Sequence, residues 1–132
     1  MSDRDASLPL SKRVLIVDDD EMLCGLLGQL LEHLGYVVWC VHSASDALKI
    51  WARDSKSIRC VFTDVMMPGM DGLSLARMLR KDAPKVPILL LCGYINDDSR
   101  WIVAEEDFGF LQKPFTLEEL TRVMRMLPEP TL

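Results

Sequence analysis

The 132-residue sequence has no CxxC pair, no clustered basic segment and no apolar run near the roughly 20 residues that span a bilayer. Zinc sites and redox dithiols usually bring their cysteines in close pairs. Cys24, Cys40, Cys60 and Cys92 are instead scattered, and three of them fall in or beside apolar runs. Reduced, buried thiols are therefore expected. Without clustered lysine and arginine, and with a formal charge of −5, the chain lacks the means to neutralise nucleic-acid phosphates, so no direct nucleic-acid partner is expected. The opening residues, MSDRDASLPLSKR, lack the apolar core of a secretory leader. No membrane partner and a cytoplasmic location are the corresponding expectations.

About half of the residues are apolar, 49%, and 27% are charged, a balance that suits one folded domain with one core. Short β-type runs alternate with stretches of helical period. Val14–Val17, Val37–Val41, Cys60–Phe62 and Ile88–Leu91 are continuous apolar segments, the pattern of parallel strands covered on both faces, and Phe108–Leu111 is a weaker fifth. Leu23, Leu26, Leu27, Leu30, Leu31 and Leu34 place one helix, with Gly35 at its left-handed end. Ala44, Ala47, Leu48 and Trp51 follow Ser43 as cap, and Gly72, Leu75, Ala76 and Leu79 follow Asp71. Thr116 and Glu119 form a capping-box pair, with Phe115 and Leu120 at the staple positions. Residues 96 to 107 give a short, weakly patterned helix. Five successive β-then-α units imply right-handed crossovers and an open parallel sheet with helices on both faces.

Ligands of such sheets bind beyond the carboxyl ends of the strands. The residues there are Asp18-Asp19-Asp20-Glu21, Asp64, Cys92-Gly93 and Lys113-Pro114. Asp20 and Glu21 read as the start of the first helix, and Asp71 as a cap. Asp18, Asp19 and Asp64 remain, and two carboxylates about 5 Å apart repel by roughly 3 kcal/mol at an effective dielectric near 20. A divalent cation relieves that repulsion, and hard oxygen ligands suit Mg²⁺. Lys113 could pair with an anion joining the metal. Carboxylates, Mg²⁺ and an ammonium together make a site for phosphoryl transfer.

Four segments carry a resemblance: VLIVDDDE at residues 14–21, TDVMMPGMDG at 63–72, LCGY at 91–94 and FLQKPF at 110–115. In order and spacing they resemble the signature segments of response-regulator receiver domains. The family includes CheY and has the flavodoxin-like strand order 2-1-3-4-5. The resemblance implies a phosphoacceptor at Asp64, charged by a histidine kinase or phosphotransfer protein. It implies Mg²⁺ held directly by Asp19, by Asp18 mainly through water, by Asp64 and by the backbone carbonyl of Met66. Lys113 would pair with the acceptor or the phosphoryl oxygens, and the Lys113–Pro114 bond would be cis. Pro68 and Gly69 would shape the loop after Asp64, and Gly72 would let the third helix begin close to it. Family members usually carry Thr or Ser where Cys92 stands and often Tyr where Phe110 stands, the two residues that implement the switch. A thiol is the weaker donor, and Phe110 has no hydroxyl.

The leading reading is thus a phosphorylation-dependent module, not an enzyme, that switches a downstream protein partner. The switching face is expected over residues about 94 to 127, namely the weak fourth helix, the fifth strand and the last helix. Residues 1–11 are expected to be a flexible segment, 12–127 the receiver domain and 128–132 a tail. With no second domain after the last helix, a single-domain regulator and a receiver piece of a larger protein are both open. The segments around Cys92 and Lys113 resemble receivers at the C-terminus of hybrid histidine kinases. An alternative is a receiver-like interaction module that works without phosphate, which the Cys92 substitution keeps open. A third, a Mg²⁺-dependent phosphohydrolase of the haloacid-dehalogenase type, needs an acid two residues after its nucleophile, where this chain has Met66.

Overall fold

The computed structural model describes residues 13–67, 69–93 and 106–127. Five parallel strands form one sheet: β1 (Arg13–Val17), β2 (Val37–Val41), β3 (Ile58–Asp64), β4 (Ile88–Cys92) and β5 (Gly109–Gln112). Their order is β2-β1-β3-β4-β5, the flavodoxin-like arrangement. The described helices are α1 (Glu21–His33), α2 (Ala44–Asp54), α3 (Gly72–Asp82) and α4 (Leu117–Arg125), with a 3₁₀ turn at Ser55–Ser57. Among the described residues no helix is long and apolar enough to cross a membrane.

The expected segments at 1–11 and 128–132 lie outside the described residues. So do Pro68 and most of the weak helix expected over 96–107; Glu106 and Asp107, its described end, form a turn.

The sheet divides two apolar layers. Leu15, Val17, Val61 and Leu90 face α2 and α3, packing on Ala47, Trp51, Leu75 and Leu79. Val14, Ile16, Phe62 and Leu91 face α1 and α4, packing on Leu27, Leu31, Leu120 and Met124. The central strands β1, β3 and β4 are buried on both faces almost throughout, which is why they read as unbroken apolar runs. The edge strands β2 and β5 mix exposed and buried positions.

Most helix signals act as expected. Asp20 caps α1 through its side chain, Ser43 caps α2, Asp71 caps α3, and Thr116 and Glu119 close a reciprocal capping box on α4. Gly35 takes φ 99°, a left-handed conformation that ends α1 at little cost because glycine has no Cβ.

Two expectations need correction. The buried stripe of α1 is Cys24, Leu27, Gly28 and Leu31, while Leu26 is half exposed. A helical turn of 3.6 residues cannot hold Leu26 and Leu30 as deep as Leu27 and Leu31, so the leucine cluster is wider than the face it covers. The four thiols are free, but Cys40 is exposed because β2 is an edge strand. Its Sγ lies 3.4 Å from the Cys24 carbonyl oxygen, and burial pushes the Cys60 thiol up to about 12.

Candidate functional site at the carboxyl ends of the strands

β1, β3, β4 and β5 end together at one edge of the sheet, and Asp18, Asp19, Asp64, Cys92 and Lys113 are delivered there, while Phe110 lies further back on β5. Asp18 and Asp19 follow β1, and Lys113 follows β5. Asp64 and Cys92 are the last residues of β3 and β4, so these strands run further than their apolar cores suggested. The extension is bound by the ladder, since Asp64 pairs with Leu91 and Cys92 with Gln112.

Asp18 is wholly buried, Asp64 is 7% exposed and Asp19 is exposed. One oxygen from each carboxylate lies within 4.8 Å of the others. Lys113 reaches into this group, with Nζ 3.2 Å from Asp18 Oδ2 and 3.4 Å from Asp64 Oδ1. Asp18 Oδ1 accepts the Asp20 N–H at 2.9 Å, and Asp64 Oδ1 accepts the Met66 N–H at 3.3 Å. The Lys113 main-chain N–H donates to the Cys92 carbonyl at 2.7 Å, tying the lysine to the end of β4. The Lys113–Pro114 peptide is cis.

The electrostatics follow from burial and charge count. Burial, and next the charge of Asp18, push the Asp64 carboxyl above its ordinary range; Lys113 and the Met66 N–H pull the other way without cancelling. Burial acts to lower the Lys113 ammonium, but the hydrogen bond and charge of Asp18, with the charge of Asp64, outweigh it and hold it above its ordinary value. Burial, then the Asp64 charge, raise the Cys92 thiol, so it remains an S–H group. One ammonium thus faces three carboxylates. The remaining negative charge and the all-oxygen donor set fit a hard divalent cation such as Mg²⁺, and exposed Asp19 leaves a side on which such an ion can keep its waters.

A stability prediction follows. A carboxyl whose pKa is raised in the folded state stabilises the fold in acid, and that contribution disappears as pH rises from the ordinary carboxylate value through the raised one. Without metal, Asp64→Asn is therefore expected to be more stable than the wild type at pH 7, with a higher melting temperature. The gain should vanish toward pH 4. Thermal unfolding in EDTA across that range checks it; a variant less stable than wild type at pH 7 would show that Lys113 outweighs burial.

Met66 follows Asp64 closely but turns its side chain to solvent, 79% exposed. Phe110 is half-buried on β5 opposite Leu90. Gly69 has a positive φ of 81° in the loop after β3. Gly72 begins α3 against the Asp64 backbone, its N–H donating to the Val65 carbonyl at 2.9 Å. His42 was not expected here. Its Nδ1 lies 2.9 Å from the Asp18 carbonyl oxygen, and no pattern in the sequence marks a lone histidine after an edge strand.

Residues 14–125 match the family model for the response regulator receiver domain. The chain belongs to this family. As a receiver domain of a two-component system it is homologous to the response regulator MprA of Mycobacterium ulcerans (strain Agy99), with 40% identity over 121 residues, 89% of this chain and 50% of that protein. It is 38% identical to the sensor kinase CckA of Brucella abortus (strain 2308) over 119 residues, 89% of this chain and 13% of that protein. The receiver thus spans half of one relative and a small part of the other. The non-phosphorylated HemR receiver domain from Leptospira biflexa superposes with a TM-score of 0.79 and 31% identity, over 91% of this chain and 98% of that one. The Vibrio cholerae chemotaxis protein CheY4, at TM-score 0.80 and 24% identity over 88% of this chain and 98% of that one, shares the fold. Receivers are signalling domains that interact with histidine kinases and phosphotransfer proteins, and they typically bind Mg²⁺ at an acidic pocket.

Proposed function

We propose that this receiver accepts a phosphoryl group on Asp64 from a histidine kinase or phosphotransfer protein and thereby switches a downstream protein partner. The observation carrying this reading is the placement of Lys113 between buried Asp18 and Asp64, with three carboxylates within reach of one cation. Asp64 Oδ1 is already engaged by the Met66 N–H and Lys113. Its other oxygen attacks phosphorus in line, while the donor's imidazole nitrogen, or the acetate of a small acyl phosphate, leaves with the bonding pair. Lys113 then neutralises a phosphoryl oxygen from the position it holds. Mg²⁺ held by Asp18, Asp19, Asp64 and the Met66 carbonyl would supply the remaining neutralisation of the phosphoryl charge. Residues 12–127 make up the proposed functional unit.

The test is intact-mass measurement after incubation with Mg²⁺ and acetyl phosphate. One added phosphate, absent in Asp64→Ala, is expected. Persistent lack of labelling in the wild type would favour the interaction module that works without phosphate. Steady phosphate release far beyond one equivalent would favour a phosphohydrolase.

The switching face is proposed over residues about 94 to 127, of which 94–105 lie outside the described residues. Support comes from α4, a strongly capped helix that exposes Leu117 at its start, with Met126 exposed at its C-cap. Cys92, buried at the end of β4, is proposed to act there as a weak donor or a small packing group. A hydroxyl bonded to a charged oxygen contributes roughly 1.5–3 kcal/mol, of which a thiol recovers part. Cys92→Ser or Cys92→Thr is therefore expected to enlarge the change in hydrogen exchange over 94–127 on adding beryllofluoride and Mg²⁺, and Cys92→Ala to alter it little. A Cys92→Ala variant with no response, and Cys92→Ser no better than wild type, would instead give the thiol a specialised role.

A further inference from the structure

Asp18 has a partner for every polar atom, and both of its backbone partners come from the end of β2. Its N–H donates to the Val41 carbonyl at 3.0 Å, one step past the last paired residues, Val17 and Val41. A parallel ladder continued from there would bring the Ser43 N–H to the Asp18 carbonyl. The chain turns instead at Ser43, which caps α2. The His42 imidazole takes the place of the missing donor, with Nδ1 2.9 Å from the Asp18 carbonyl oxygen. A carbonyl can only accept, so Nδ1 carries the hydrogen.

That hydrogen bond fixes more than Asp18. The Asp18 carbonyl and the Asp19 nitrogen belong to one rigid peptide plane, so a donor that sets the direction of the carbonyl also sets how Asp19 leaves the strand. Asp18 is locked at its side chain by Lys113 and the Asp20 N–H, whereas exposed Asp19 has no comparable tether among the described residues.

We infer that His42 is a positioning residue of the acidic site, orienting Asp19 toward Asp18 and Asp64 by holding the peptide plane between Asp18 and Asp19. This rests on the reading of the site as a Mg²⁺-dependent phosphoacceptor. An imidazole in this role acts through its geometry and needs no charge. It matters most when the cation is scarce, because disorder in one ligand weakens binding and leaves the saturated site intact.

The test uses the whole chain at about pH 8 throughout. Long-range ¹H–¹⁵N spectra of the wild type are expected to show His42 as the Nδ1–H tautomer; the Nε2–H tautomer would overturn the inference. Calorimetric titration with Mg²⁺ should show His42→Ala binding about fivefold more weakly, the factor of one ordinary hydrogen bond. Labelling by acetyl phosphate should slow at low Mg²⁺ and recover at saturation. His42→Asn, whose amide N–H can stand where Nδ1–H stood, should restore affinity, and His42→Gln, which reaches the Nε2 position, should not. A lower melting temperature with unchanged Mg²⁺ affinity in His42→Ala, or equal rescue by Asn and Gln, would reduce His42 to a structural role and overturn the inference alone. A wild type that binds no Mg²⁺ and takes no phosphate would overturn the phosphoacceptor reading, and the inference with it.

Discussion

Lys113→Ala is expected to lose about 3 kcal/mol of folding stability at neutral pH in EDTA, together with a drop in phosphate uptake of about 10²-fold. The ammonium lies 3.2 Å from Asp18 and 3.4 Å from Asp64, and neither acid has appreciable access to water. Removing it leaves two buried carboxylates facing each other, and breaking a buried pair by deleting one partner costs roughly 3–5 kcal/mol. The lower end applies because the site is open on the side of Asp19. The pH dependence separates this cause from simple loss of packing. Asp64 already sits above its ordinary range, through burial and then the charge of Asp18, and loss of Lys113 removes the main opposing influence. A raised carboxyl pKa gives stability that is present in acid and lost as pH rises through it. The deficit of the variant should therefore shrink as pH falls from 7 toward the ordinary carboxylate range. Urea denaturation of both proteins at several pH values reads this directly. A pH-independent deficit would mean that Lys113 contributes through its methylene stem alone.

Gly72→Ala should be more damaging than its chemistry suggests. In an exposed helix interior the same change stabilises by about 1 kcal/mol, and Gly25→Ala in α1, where an added Cβ meets nothing within 4 Å, should show that gain. At Gly72 the added methyl would collide with the Asp64 carbonyl oxygen, and it would lie 2.6 Å from the carbonyl carbon and 3.0 Å from Val65 Cα. These are backbone atoms of a buried strand end, so no side chain can swing aside. Either α3 starts further away, losing the bond from the Gly72 N–H to the Val65 carbonyl, or the end of β3 shifts and carries Asp64 with it. A loss of about 3 kcal/mol is expected, and phosphate uptake should fall as well because the collision is with the proposed acceptor, Asp64. Chemical denaturation of the two glycine variants beside the wild type supplies the comparison. Equal, small effects at Gly25 and Gly72 would show that the start of α3 is free to slide.

Local rules made much of this architecture legible. The caps at Asp20, Ser43, Asp71 and Thr116 each need only a side chain and the next few backbone N–H groups, so they can be read from neighbouring residues. The buried central strands advertise themselves because both faces must be apolar. Local rules stop where a neighbour far along the chain decides. Cys24 and Gly28 are buried where β2 lays Val38 and Cys40 against α1, with the Cys40 thiol near the Cys24 carbonyl and Gly28, whereas Leu26 is half exposed. Strand ends at Asp64 and Cys92 were missed because ladder hydrogen bonds to β4 and β5 hold polar or small residues that carry no apolar signal.

By itself the sequence determined which residues are candidates for the chemistry, since carboxylates, a lysine and a thiol after four apolar runs follow from residue type and spacing alone. The tertiary structure decided how they are coupled. Lys113 meets Asp18 across 95 positions of chain, and His42 meets the carbonyl of Asp18 across 24. Such contacts are fixed by strand order and by where each strand stops, because hydrogen bonds and charges act over a few ångströms in space whatever their separation in sequence.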